Sequence, residues 1–226
     1  MLRRIFVSFL FLTVFVAACT NQSSSKKEEK QAEAQSSDNA SATAKKNILF
    51  FGTSLTAGYG LNPTEAYPAL IQQKIDSLKL PYKVINGGLS GETSAAGKSR
   101  IDWLLKQPVS IFVLELGAND GLRGIPIEET TANLQAIIDK VKNKYPDVKL
   151  VMEGMQVPPN MGEKYATDFK GMFKKLAIKN KMVYVDFLLE GVGGVPKLNQ
   201  NDGIHPTAEG HQILAKNVWV VLKNEL

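Results

Sequence analysis

The chain has 226 residues, of which 44% are hydrophobic and 22% charged, and a formal net charge of +5. That length and apolar content allow one full hydrophobic core and exclude a wholly disordered chain. The positive excess is mild, and no basic stripe is interleaved with aromatic residues, which excludes nucleic acid as a partner.

The first element is a targeting segment. Residues 1–18 carry Arg3 and Arg4, then the twelve-residue apolar run "IFVSFLFLTVFV", then small residues. The run is short for a bilayer span and matches a secretory signal, so it lies outside the fold. Cys19 is the only cysteine and closes the tetrad "VAAC", which resembles the lipobox of bacterial lipoproteins. That resemblance implies a lipidated first residue on an exported protein of the cell envelope, held to a membrane by its acyl chains. Beyond Cys19 no internal disulfide can form. Residues 20–44 contain no aliphatic side chain larger than alanine and no aromatic. Nothing there can offset the entropy of ordering, so residues 19–44 read as a disordered tether with a reach of roughly 25–30 Å. Residues 45–226 hold 22 basic and 18 acidic side chains, a net +4.

From residue 45 the pattern alternates. Apolar, β-rich runs at 47–52, 82–87, 110–117, 148–154 and 182–187 predict five strands. Helical spacing places Tyr67, Leu70, Ile71, Ile75 and Leu78 on one face, and Leu134, Ile137, Ile138, Val141 and Tyr145 on another. Ile213, Leu214, Val218, Val221 and Leu222 form a third, and residues 93–107 and 163–180 fill the remaining gaps, although Gly97 and Gly171 weaken them. Five strands alternating with five helices make an α/β fold with a parallel sheet covered on both faces. Chemistry in such folds collects at the carboxyl ends of the strands. Those ends carry Gly52-Thr53-Ser54, "GGLSGETS" (87–94), "GAND" (117–120) and, on a longer loop, "DGIH" (202–205). Each is weak alone, since glycine-rich ends are usually turns; their convergence on one rim points to a site.

The stretches "FFGTSLTAGYG", "NGGLSGETS", "LELGANDGLRG" and "NDGIHPTAEGH" resemble, in order, the four blocks of the SGNH/GDSL hydrolases. The similarity covers residues 46–222 and is strongest to the bacterial thioesterase, lysophospholipase and arylesterase branch. It implies a flavodoxin-like three-layer sandwich with strand order 2-1-3-4-5, and hydrolysis of esters or thioesters through an acyl-enzyme. One departure stands out: the family usually has Asp where this chain has Thr53, whose hydroxyl is expected to hydrogen-bond the serine turn.

The residue chemistry agrees with that resemblance. A serine hydroxyl needs a base, and only His205 and His211 can supply imidazole. His205 follows Asp202 by three residues across Gly203, close enough for the carboxylate to meet its Nδ1, so Ser54, His205 and Asp202 form the candidate triad. His211, inside the last helical run, reads as structural. The resemblance implies an oxyanion hole made by the N–H groups of Ser54 and Gly91 and the amide of Asn119. Asp120 is expected to orient the Asn119 turn, and Glu115 to make a structural hydrogen bond. No metal cluster or phosphate loop appears, no cofactor is expected, and a monomer acting on a small-molecule ester or thioester is. "GLRGIPI" (121–127) and "MQVPPNMGEKY" (155–165) are candidate walls of an acyl groove, with Arg123 a candidate contact for a polar head group. Two other readings stay open: a carbohydrate O-acetylesterase with a small polar pocket, and a binding lipoprotein without catalysis.

Overall fold

The computed structural model describes residues 45–226. The expected signal segment, Cys19 and the tether lie outside those residues. Five strands, β1 (Lys46–Gly52), β2 (Tyr82–Asn86), β3 (Ile111–Glu115), β4 (Lys149–Glu153) and β5 (Val183–Val185), form one parallel sheet in the order β2-β1-β3-β4-β5. The expected order is therefore correct. Val113 and Leu114 of β3 face Phe50 and Phe51 of β1 on one side and Val151 and Met152 of β4 on the other. Every residue of β3 is buried, as continuous apolar strands are when helices cover both faces.

Seven α-helices flank the sheet among the described residues, two more than the periodicity predicts. The five longer ones are α2 (Tyr67–Ser77), α3 (Ser94–Leu104), α5 (Ile127–Lys144), α6 (Glu163–Asn180) and α7 (Ala208–Leu222). The additional two, α1 (Ser54–Ala57) and α4 (Ala118–Leu122), have four and five residues. Such single turns are too short for an apolar period and follow the strands that carry the site. Leu78, expected on the buried face, lies past the end of α2 and is 52% exposed. Gly97 does not break α3: a Cβ there would come within 2.5 Å of Leu116 Cδ1, so the glycine lets the helix lie close on the sheet.

The core joins both faces of the sheet, with Phe50, Phe51, Phe112, Phe169 and Phe173 almost wholly buried. Among the described residues no helix is long and apolar enough to cross a membrane.

Candidate active site

Ser54 opens α1 directly after β1, and two elements hold that turn in place. At its far end Gly58, with φ of 74°, closes the turn as its N–H donates to the Ser54 carbonyl at 3.0 Å. At its near end the Thr53 hydroxyl, expected to hydrogen-bond the turn, makes no capping bond. It donates instead to the buried Glu115 carboxyl, 2.9 Å to Oε1. The same carboxyl accepts the Thr53 N–H at 2.8 Å and the Thr56 hydroxyl at 2.8 Å, with the Thr56 N–H at 3.3 Å. Glu115 thus makes the structural hydrogen bond expected of it, four times over. Burial pushes its carboxyl up to about 7, although those donors pull it down.

His205 reaches the serine from the long loop between β5 and α7. Its Nε2 lies 2.9 Å from Ser54 Oγ, and its Nδ1 lies 2.7 Å from Asp202 Oδ2. The other Asp202 oxygen accepts the N–H groups of Ile204 and His205, both at 3.0 Å, which folds the loop back on itself. The hydrogen bond to the His205 ring, with those N–H donors, holds the Asp202 carboxyl down at about 2. Gln200, which no motif in the sequence singles out, fastens this loop to the serine turn. Its Nε2 donates to the carbonyls of Tyr59 (2.7 Å) and Pro206 (3.0 Å), and its N–H donates to the His205 carbonyl (2.7 Å). The Tyr59 ring packs against the imidazole at 4.5 Å between centroids.

The second and third strand ends complete the rim. Gly91 has φ of +79° with open space where a Cβ would stand, so glycine is required by its backbone and leaves its surroundings clear. Asn119, in α4, donates one amide hydrogen to the Glu92 carbonyl at 3.1 Å, which ties it to the Gly91 loop. That loop is clamped from behind: Arg100 grips the Glu92 carboxylate through Nε and Nη2, at 2.6 and 2.5 Å, donates to the Gly87 carbonyl, and lies over the Phe51 ring. Arg123, a candidate head-group contact, donates to the Gly91 carbonyl at 3.2 Å. Asp120 does more than orient the Asn119 turn. Its carboxylate accepts the N–H and hydroxyl of Ser94 at 2.8 and 2.5 Å, joining the start of α3 to α4.

His211 is buried on α7, and its Nδ1 accepts the Tyr67 N–H at 3.1 Å. Desolvation, with the His205 ring as a second cause, lowers it to about 4 and keeps it neutral, which fits a structural side chain. The two expected groove walls pack on each other, since Tyr165 donates to the Ile125 carbonyl and a Cβ on Gly121 would strike Val157 and Phe169. A cavity of about 570 Å³ lies instead between α5 and α6, lined by Ile127, Met172 and Leu176 among others and by no triad residue. Around the triad the apolar surface is open: Tyr59, Leu89, Leu122 and Ile204 are each about half exposed. Among the described residues no three side chains are grouped to hold a metal ion.

Comparison with known proteins places this geometry. Residues 50–213 match the family model described as GDSL-like Lipase/Acylhydrolase. Esterase TesA of Pseudomonas aeruginosa is 37% identical over 181 residues, 80% of this chain and 89% of that protein. Thioesterase 1/protease 1/lysophospholipase L1 of Escherichia coli is 36% identical over 77% of this chain and 82% of that one. A crystal structure of TesA superposes with a TM-score of 0.77 at 37% identity, covering 80% of this chain and all of that one. The psychrotrophic esterase EstA from Pseudoalteromonas sp., inhibited by monoethylphosphonate, gives 0.75 at 31% identity over 80% of this chain and 98% of that one. With a matched model over most of its length and these relatives, the chain belongs to the GDSL-like lipase/acylhydrolase family.

Proposed function

We propose that this protein is a serine esterase that cleaves carboxylic esters or thioesters through an acyl-enzyme, with Ser54 as nucleophile. The observation that carries this reading is the unbroken line from Asp202 through His205 to Ser54 Oγ, at 2.7 and 2.9 Å. In the first half-reaction Ser54 Oγ attacks the carbonyl carbon while its proton passes to His205 Nε2. Asp202 holds the ring by Nδ1 and stabilises the imidazolium. The oxyanion is met by the N–H groups of Ser54 and Gly91 and the free amide hydrogen of Asn119, each contributing about 3–4 kcal/mol. His205 then gives its proton to the departing alcohol or thiol. Water repeats the sequence on the acyl-enzyme and releases the acid. The relatives named esterase TesA and thioesterase 1/protease 1/lysophospholipase L1 support this chemistry, as does the phosphonate inhibition of EstA.

The exposed Tyr59, Leu89, Leu122 and Ile204 favour acyl or aryl esters, including lysophospholipids, over small polar acetyl esters. The proposed location is the cell envelope, as a monomeric exported lipoprotein anchored through Cys19; the support is the arginine pair, the apolar run and "VAAC". Cys19→Ser is expected to release the protein from the membrane fraction or to block its maturation.

A fluorophosphonate probe on the purified protein tests the chemistry, since only an activated serine reacts. Labelling is expected in the wild type and absent in Ser54→Ala. Both Ser54→Ala and His205→Ala should lower kcat by about three to six orders of magnitude, because the triad acts as a unit. Wild-type turnover in either variant would overturn the assignment.

A further inference from the structure

Beneath the serine turn two glutamates end neighbouring strands, and both are wholly buried. Glu115 closes β3 and Glu153 closes β4. They are linked through two hydroxyls. Thr56 Oγ1 lies 2.8 Å from Glu115 Oε2 and 2.9 Å from the Tyr67 hydroxyl, which lies 2.9 Å from Glu153 Oε2. This row has three oxygen-to-oxygen contacts, but Thr56 and Tyr67 supply only two hydroxyl hydrogens. A third hydrogen is therefore needed, and only a carboxyl can provide it.

The surroundings decide which carboxyl holds it. Glu115 accepts two N–H groups and two hydroxyls from Thr53 and Thr56, an environment that favours the charged form. Glu153 has only the Tyr67 contact, and its Oε1 is buried without a partner among the described residues. An ionised carboxylate there would leave an oxygen unpaired in an apolar interior. The other titratable groups facing the row are Tyr67 itself and the neutral His211 stacked on its ring. No lysine or arginine among the described residues reaches either carboxyl.

We propose that Glu115 is a positioning residue, bearing the single charge of a carboxyl pair whose one shared proton resides on Glu153, and that this charge fixes the backbone around Ser54. The hydrogen bonds then run in one direction, from the Glu153 carboxyl to Tyr67, from Tyr67 to Thr56, and from Thr56 to Glu115. The N–H groups of Thr53 and Thr56, on either side of the nucleophile, are bound to that charge, whereas the Ser54 N–H is left out of the set. Burial raises Glu153 well above the carboxylate range, and the charge on Glu115 raises it further. The device also accounts for Thr53: a hydroxyl there donates to Glu115 where a second carboxylate would repel it.

Infrared spectroscopy and kinetics on the whole protein test this separately. At about pH 8 ordinary carboxyls are ionised, so a protonated-acid carbonyl band is expected in the wild type and should vanish in Glu153→Gln. A wild-type protein without the band, or Glu153→Gln with the band at full strength, overturns the proton assignment. Glu115→Gln cannot receive all four donors and is expected to lower kcat about ten- to a hundredfold, with KM within about threefold, through displacement of the turn. Should that variant fail to fold, Thr56→Val keeps the N–H and the volume while removing the hydroxyl link, and its kcat is expected to fall about threefold or more at unchanged KM. Wild-type kcat in the folded variant overturns the positioning role. The kinetic arm rests on Ser54 as nucleophile and the infrared arm does not, so the two readings fail separately.

Discussion

Asn119 carries two amide hydrogens, and the Glu92 carbonyl takes one of them. The other has no partner among the described residues, and in the proposed mechanism it meets the substrate oxyanion, which forms only in the transition state. Asn119→Ala is therefore expected to lower kcat by about a hundred- to a thousandfold with little change in KM. Steady-state kinetics checks this, and a loss confined to KM would make Asn119 a binding residue instead. At this scale Ser54, Asn119, Asp202 and His205 are legible because each stands in a short block whose spacing carries its chemistry. Gln200, Arg100 and Glu153 are not. Gln200 and Glu153 act on Tyr59 and Tyr67, 141 and 86 residues away, and Arg100 on a carboxylate eight residues back that only the fold turns inward. A lone Gln or Arg in a sequence reads as solvated surface.

The elements at the rim depend on one another for position. Gly88 follows β2 against the backbone of α1: a Cβ there would lie 2.3 Å from Ala57 N and 2.8 Å from Thr56 C. Neither contact is a flexible side-chain end, so Gly88→Ala must push the serine turn aside. A cost of about 1–3 kcal/mol in urea unfolding is expected, together with a fall of tenfold or more in kcat. Full activity would show that the turn tolerates the displacement. The long elements are readable from periodicity, and α6 spans residues 163–180 as expected. The shortest helices are not, since α1 and α4, with four and five residues, are little more than one turn and repeat no pattern. What makes α4 helical is the left-handed Gly117 before it, with φ of 111°, and the Asp120 anchor to Ser94.

Over the whole molecule, three buried groups act on stability between about pH 4 and 7. Glu153 keeps its proton, and Glu115 keeps one until about 7, at pH values where the unfolded chain has lost them, so the singly charged form of the pair arises as Glu115 ionises. Their contribution is therefore full below about 4.5 and falls as pH rises, through about 7 for Glu115, while burial and the Glu115 charge keep Glu153 protonated above the ordinary carboxylate range. His211 acts in the opposite sense. The unfolded imidazole takes a proton near 6.5 that the folded one refuses until about 4, so its contribution is lost on acidification across that interval. Between about 4.5 and 6.5 the histidine offsets one of the carboxyls. Urea unfolding across that range should show a steeper decline with rising pH in His211→Asn than in the wild type, by about 1.4 kcal/mol per pH unit. An identical slope would mean that His211 does not resist protonation.

The substrate class has a separate test at this scale. If the apolar rim receives the acyl chain, kcat/KM for p-nitrophenyl esters should rise from acetyl towards hexanoyl or octanoyl, by up to about 0.8 kcal/mol per methylene. A maximum at acetyl would favour the small polar pocket of an acetylesterase.

The sheet order gives β1 a neighbour on both sides, with Ile48, Leu49 and Phe50 paired to β2 and to β3 at once. Amides held by two strands and covered by both helical layers open only when the whole domain does. In deuterium-exchange mass spectrometry, peptides from β1 should exchange among the slowest in the molecule. The Asp202–His205 loop, exposed and fastened largely by Gln200, should exchange far sooner. Nucleophile and base then belong to parts of the protein that open on different timescales. The hydroxyl stands on ground that outlasts every turnover, while its partner can leave and return within the lifetime of one folded molecule.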